Sequence, residues 1–187
     1  MNLIKKTLNE ISNNFTNLAE QSVTQIEEAS KLIIKSLQSG GKIMFCGNGG
    51  SASDAQHLSA ELVGKYMKNR KPLASVALTT DTSVITAISN DFSFDEIFSR
   101  QIESIGSEGD VLYAISTSGK SKNIIKAIET AKKLNIKILG VTGSDDTSFR
   151  EICDMVISVP ASRPDRIQEM HIAIGQIICE ILEQELC

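Results

Sequence analysis

Two short segments of this chain have the composition of anion-binding turns: Gly47-Asn48-Gly49-Gly50-Ser51 and Ser116-Thr117-Ser118-Gly119-Lys120-Ser121. Each follows a short apolar run and precedes a stretch of helical period. Each would therefore offer the unpaired N–H groups and positive dipole end of a helix N-terminus, which favour a negative ligand. Glycine allows close backbone approach, and Ser116, Thr117, Ser118 and Ser121 add hydroxyls. Neither turn matches the nucleotide pattern Gly-x-x-x-x-Gly-Lys-Ser/Thr or the dinucleotide pattern Gly-x-Gly-x-x-Gly. Serine and asparagine are also ordinary helix caps, so one such turn alone would say little. Two of them, each after a strand of one sheet, point to a phosphate group. Lys120 reads as a solvated side chain rather than a ligand.

Further residues could act beside that phosphate. His57 and Glu61 lie four apart on the helix after the first turn, hence on one face. The spacing suits a metal pair or a carboxylate base beside an imidazole, and equally an ordinary surface pair. The pair falls about two turns beyond the glycine turn, near the ligand. Asn90-Asp91 could be an Asx turn or could hold sugar hydroxyls. Gln168 and Gln176 recur on roughly one side of the closing helix and need partners if buried. His171 points elsewhere around that helix and reads as a packing or surface histidine.

The elements that would position these residues alternate. Helical period runs from about Leu3 to Leu37, as two helices or one bent helix ended by Ser39-Gly40-Gly41. This arm, residues 1–40, has no strand near it and is expected to pack on another subunit. Strands follow at Lys42–Cys46, Leu73–Leu78, Asp110–Ile115, Lys137–Thr142 and Asp154–Val159. Helices are expected at Ser51–Met67, Thr82–Ser89, Phe94–Ile105, Ser121–Leu134 and Ile167–Leu186. Strand–helix alternation with uniformly apolar strands predicts an α/β fold: a three-layer α-β-α sandwich around a five-stranded parallel sheet. Residues 1–187 read as a single domain, with no repeat or linker.

Composition narrows the classes. Of 187 residues, 41% are hydrophobic, enough for a core, and the net charge of −4 lacks the basic footprint of a nucleic-acid binder. Aromatics make up 4% with no Trp, so stacking on bases is not a theme. Cys46, Cys153, Cys179 and Cys187 fit neither a zinc nor a disulfide spacing and read as reduced thiols. Without a signal-like apolar core or a membrane-length apolar run, the expectation is a cytoplasmic protein with no membrane partner.

The strings Cys46–Ser51, Asp54-Ala55-Gln56-His57, Ala60-Glu61-Leu62, Ser89-Asn90-Asp91-Phe92, Ile97–Gln101, Ile115–Ser121 and Asp165–His171 together resemble the phosphoheptose isomerases of the SIS-domain superfamily. The matches run in order from about Lys42 to the end, and the arm fits the same family. The resemblance implies a flavodoxin-like SIS fold, a homotetramer with active sites at subunit interfaces, and a sugar-phosphate substrate. The implied reaction converts sedoheptulose 7-phosphate to D-glycero-D-manno-heptose 7-phosphate, which feeds heptose into lipopolysaccharide, capsule or related glycans. It also implies roles. Ser116, Thr117, Ser118 and Ser121 would hold the phosphate. Asn48, Gly49, Gly50, Asn90, Asp91 and Gln168 would line the sugar. Glu61 would be the base of an enediolate mechanism, with His57 as a candidate acid. Zinc would be held by His57, Glu61, Gln168 and Gln176. The last position departs from the family, which usually has histidine there; an amide is a weaker ligand and cannot shuttle a proton.

Rival readings share the fold. A non-catalytic relative that binds the replication initiator DnaA lacks the glutamate at the Glu61 position. SIS-domain transcription regulators carry a helix-turn-helix, which this arm does not resemble. Arabinose 5-phosphate isomerases carry an added regulatory region, for which this chain has no room.

Overall fold

A computed structural model describes residues 2–187. Its sheet contains β1 (Ile43–Gly47), β2 (Ser75–Ala77), β3 (Val111–Ile115), β4 (Lys137–Thr142) and β5 (Met155–Ser158), all parallel, in the order β2-β1-β3-β4-β5. The helices are α1 (Asn2–Gln21), α2 (Val23–Gln38), α3 (Gly50–Val63), α4 (Thr82–Asp91), α5 (Ser99–Ile105), α6 (Lys122–Lys133), α7 (Thr147–Ile152) and α8 (Pro164–Leu186). The expected α/β sandwich is thus present.

The strands are apolar throughout because both faces are covered. Alternate residues serve opposite sides. Ile43, Phe45, Val111, Tyr113, Leu139 and Val141 meet one layer, which includes Ile26, Ile33, Leu58, Leu62, Ile174 and Ile178. Met44, Cys46, Leu112, Ala114 and Ile138 meet the other, which includes Ile102, Ile124, Ile128 and Phe149. In this strand order the chain reverses its direction of winding between β1 and β3, and ligands bind beyond the carboxyl ends at such a switch point. Gly47 and Ile115, the last residues of β1 and β3, are paired. The two anion-binding turns consequently start side by side.

The N-terminal arm is two helices, divided at Ser22, and α2 belongs to the chain's own core: Ile26, Ala29 and Ile33 are buried against the sheet and α8. Some element bounds need correction. Phe94–Ile105 is not one helix. A 3-10 turn, Phe94–Glu96, is followed by α5, and the buried side chains of Ile97 and Phe98 occupy the break. The short helix α7, six residues long, has no counterpart in the sequence pattern. Helix α3 stops at Val63 rather than near Met67, and α8 begins at Pro164, whose fixed φ suits a first helical turn.

Candidate active site

The turn after β1 is tight. A Cβ on Gly47 would lie 2.5 Å from the Ser51 carbonyl oxygen, and Gly49 has φ +57°, which favours glycine. Gly49 caps α3 without a side-chain bond; Ser51 and Ala52 donate to the Asn48 and Gly49 carbonyls, so among the described residues the Gly50 N–H is the one left for a ligand at the helix start. The turn after β3 is built similarly. Gly119 has φ +64°, and Ser121 stands at the α6 N-cap without making a capping bond. The Ser116 and Ser121 hydroxyls are 3.2 Å apart, and the Lys120 N–H donates to Ser118 Oγ at 3.2 Å. Lys120 pairs with Asp145 at 2.9 Å, both side chains exposed.

Asp54, His57 and Glu61 form a stripe on α3. His57 Nε2 lies 3.1 Å from Glu61 Oε1, and the Glu61 side chain is 22% exposed, open enough for a substrate to reach. Asp54 received no role from the sequence, although its spacing of three from His57 places it on the same face. Its Oδ2 is buried with no hydrogen-bond partner. Burial pushes its carboxyl up to about 6, with His57 pulling it down.

The end of α3 is held by an ion pair that sequence reasoning missed. Arg70 and Glu183 meet at 2.9 Å, both side chains only 3% exposed. Arg70 donates to the Glu61 and Leu62 carbonyls at 2.8 and 2.9 Å, at the helix end where the last carbonyls lose their helical partners; Leu62 also accepts the Leu73 N–H. Glu183 accepts the backbone N–H groups of Tyr66, Met67 and Lys68. Burial alone would raise its carboxyl, but those three donors and Arg70 outweigh it and bring it down to about 2. These bonds explain why α3 ends early: the N–H groups that would continue it are turned toward Glu183.

The matches to known proteins agree with this geometry. The family model describing the SIS domain covers residues 8–143. A phosphoheptose isomerase of Rhodospirillum rubrum is 52% identical over 162 residues, 87% of this chain and 86% of its own. Another, of Nitratiruptor, is 47% identical over 181 residues, 97% of each. The structure of phosphoheptose isomerase GmhA from Neisseria gonorrhoeae has a TM-score of 0.93 at 39% identity, covering 98% of both chains. That from Francisella tularensis has 0.95 at 33%, covering 98% of this chain and 97% of the other. The chain belongs to the phosphoheptose isomerase family.

For a phosphoheptose isomerase, the remaining expected positions are unevenly placed within one chain. Gln168 packs on the glycine turn: a Cβ on Gly50 would lie 2.6 Å from its Oε1. Gln176 follows Gly175, which is seated against Leu58 of α3, so it belongs to the stretch of α8 facing the His57 helix. The Glu61 charge reaches the same stretch, where it helps burial push the Cys179 thiol up to about 12. Among the described residues neither glutamine hydrogen-bonds to His57 or Glu61. Asn90 and Asp91 lie exposed in the last turn of α4, where the Asn90 amide donates to Asp91 at 2.8 Å, and among the described residues they bond to neither turn. His171 is a packing residue, 1% exposed. Burial pushes it down to about 4, against a pull from the Thr142 backbone that stays outside hydrogen-bond geometry.

The donor set tests the expected zinc. Among the described residues no three His, Cys, Asp or Glu side chains gather as a metal cluster. The four positions supply one imidazole, one carboxylate and two amides, whereas tight zinc sites use imidazole, thiolate and carboxylate. These residues do not make a tight zinc site.

Proposed function

We propose that this protein is an aldose–ketose isomerase that converts sedoheptulose 7-phosphate to D-glycero-D-manno-heptose 7-phosphate, supplying heptose for surface glycans. The observation that carries the reading is the Glu61 carboxylate, held by Arg70 at its backbone and by His57 at Oε1, on the helix that starts at the switch-point turn. A DnaA-binding relative without that glutamate could not supply the base.

In this reading Ser116, Thr117, Ser118 and Ser121 hold the phosphate, together with the first N–H groups of α6. The Asn48-Gly49-Gly50 turn lines the sugar with Gln168. Glu61 Oε2, which makes no hydrogen bond among the described residues, takes a proton from C1 of the open-chain ketose, exchanges it with the solvent that the partly exposed carboxylate meets, and delivers a proton to C2. The electron pair moves through an enediolate, while His57 exchanges protons with the O1 and O2 oxygens. Zinc at His57, Glu61, Gln168 and Gln176 would be retained weakly, and no step assigned to Glu61 or His57 runs through it.

We also place the protein in the cytoplasm as a homotetramer. Leu3, Ile4 and Leu8 of α1 are exposed, and an apolar groove of about 330 Å³ lined by Phe15, Leu18, Val23, Ile26, Ile177 and Ile181 opens where the end of α1 and the start of α2 meet α8. A tetramer would cover such a surface. In that assembly Asn90 and Asp91 would complete a neighbouring subunit's site. No described helix is long and apolar enough to cross a membrane.

Incubating wild type and Glu61→Gln with sedoheptulose 7-phosphate and following aldose formation tests the function. The variant should lose about a thousandfold in rate while still binding phosphate ligands. No turnover by wild type, or an undiminished variant, contradicts it.

A further inference from the structure

The two anion-binding turns are joined by side chains as well as by the sheet. Asn48 Nδ2 donates to Asn123 Oδ1 at 2.9 Å, and Asn123 Nδ2 donates back to Asn48 Oδ1 at 2.8 Å. The residues are 75 apart in sequence. Asn48 opens the turn that leads into α3. Asn123 lies in the first turn of α6, directly behind Ser121, and is only 2% exposed. A buried amide needs both halves satisfied, and this pair satisfies each half of each partner reciprocally.

The arrangement has a consequence for the substrate. A seven-carbon sugar phosphate must keep its phosphate on one turn while its C1 and C2 reach Glu61 beyond the other. The separation of the turns therefore sets where the reacting carbons fall, and small misplacements cost rate steeply. Gly47–Ile115 pairing fixes the strand ends, but both turns extend past the sheet. The amide pair is the cross-connection there. It also engages both functional ends of the Asn48 side chain, leaving the backbone N–H groups of Gly49 and Gly50 to face the sugar.

We propose that Asn123 is a positioning residue for the isomerisation, and that the Asn48 side chain is a strut to Asn123 rather than a ligand of the sugar. This assignment rests on the site proposed above.

A double-mutant cycle tests it, with Asn48→Ala, Asn123→Ala and the double variant, and with Ser121→Ala as a check on the site itself. Each is assayed with sedoheptulose 7-phosphate for kcat and KM, and its Tm is recorded. The strut predicts that either single variant lowers kcat/KM by a similar factor, about tenfold, with much of the loss in kcat. The double variant should lose little more than either single one. Additive losses, or a loss confined to Asn48→Ala, would make Asn48 a direct ligand and overturn the assignment. So would a fall in Tm with kcat and KM unchanged. If Ser121→Ala leaves KM unaltered, the phosphate site is wrong and the strut falls with it, a result separable from a failed cycle. Should an alanine variant not fold, Asn48→Ser and Asn123→Ser break the reciprocal pair with a polar group kept in place, and the same non-additivity is required of them.

Discussion

The phosphate turn and the proton-transfer helix are neighbours, yet they are held in opposite ways. Ser116 to Ser121 is one run of chain between β3 and α6; the side-chain bonds within it are local, at Ser116–Ser121 and Lys120–Ser118, and beyond β3 and α6 its backbone is tied, among the described residues, only to the end of the neighbouring β4 and the turn after it, at Val141 and Gly143. The α3 stripe of Asp54, His57 and Glu61 depends on groups far away in sequence: Arg70 and Glu183 are separated by 113 residues, and α8 forms the wall behind it. A binding turn can be local because a helix N-terminus already supplies its donors. A base must sit at one point relative to a substrate carbon, and that demands tertiary support.

The contrast can be broken most severely at the clamp. Glu183→Ala leaves the Arg70 guanidinium buried without its carboxylate and strips three backbone N–H groups of their acceptor; breaking such pairs is strongly destabilising. A fall in Tm of several degrees is expected, with kcat reduced more than KM is raised. The clamp should also be acid-labile. An unfolded glutamate titrates near 4.5 and Glu183 near 2 when folded. Its stabilisation is present above the first value and is lost as pH falls toward the second. Thermal melts of wild type and Glu183→Ala across that window should converge at the acid end.

At the local turn the effect should be smaller and of a different kind. Ser121→Ala should raise KM about tenfold through loss of a hydrogen bond to a charged group, with kcat and Tm little changed. A comparable fall in kcat would show that the phosphate turn and the proton-transfer helix do not act separately.

Gln176→His probes the wall of α8. Replacing a weak amide donor by imidazole should tighten zinc binding by about tenfold or more, measured by calorimetry on metal-stripped protein. Unchanged affinity would mean that Gln176 does not face His57 and Glu61.

The smallest effect concerns Asp54. Its folded value of about 6 lies above the usual 3.8, so the folded state holds the proton more tightly. Stability is therefore lost as pH rises between these values. Asp54→Asn should melt slightly higher than wild type at pH 8 and no higher at pH 4, and the reverse order would show that the Asp54 charge is welcomed by a partner.

The same contrast explains what could be read from the chain alone. Alternating apolar runs and helical periods predict the sheet, and the Gly47 and Ser116 turns declare themselves because their chemistry lies in consecutive residues. His57 and Glu61 are visible because a helix converts a spacing of four into adjacency. Arg70, Glu183 and Asn123 carry no such sign. Their partners are brought close only by the packing of α3 against α8 and of β1 against β3. The arm shows a related limit: the period of α2 reveals an apolar face but not that the chain's own α8 covers it. Helix α7 is only six residues long, too short for a period to emerge.

The central claim is that Glu61 moves a proton between C1 and C2 through an enediolate. Running the conversion of sedoheptulose 7-phosphate in deuterium oxide and examining the aldose product by NMR tests this most directly. The account predicts deuterium at C2 with wild type and almost no product with Glu61→Gln. Turnover that leaves C2 free of deuterium, or a Glu61→Gln enzyme as fast as wild type, would contradict it.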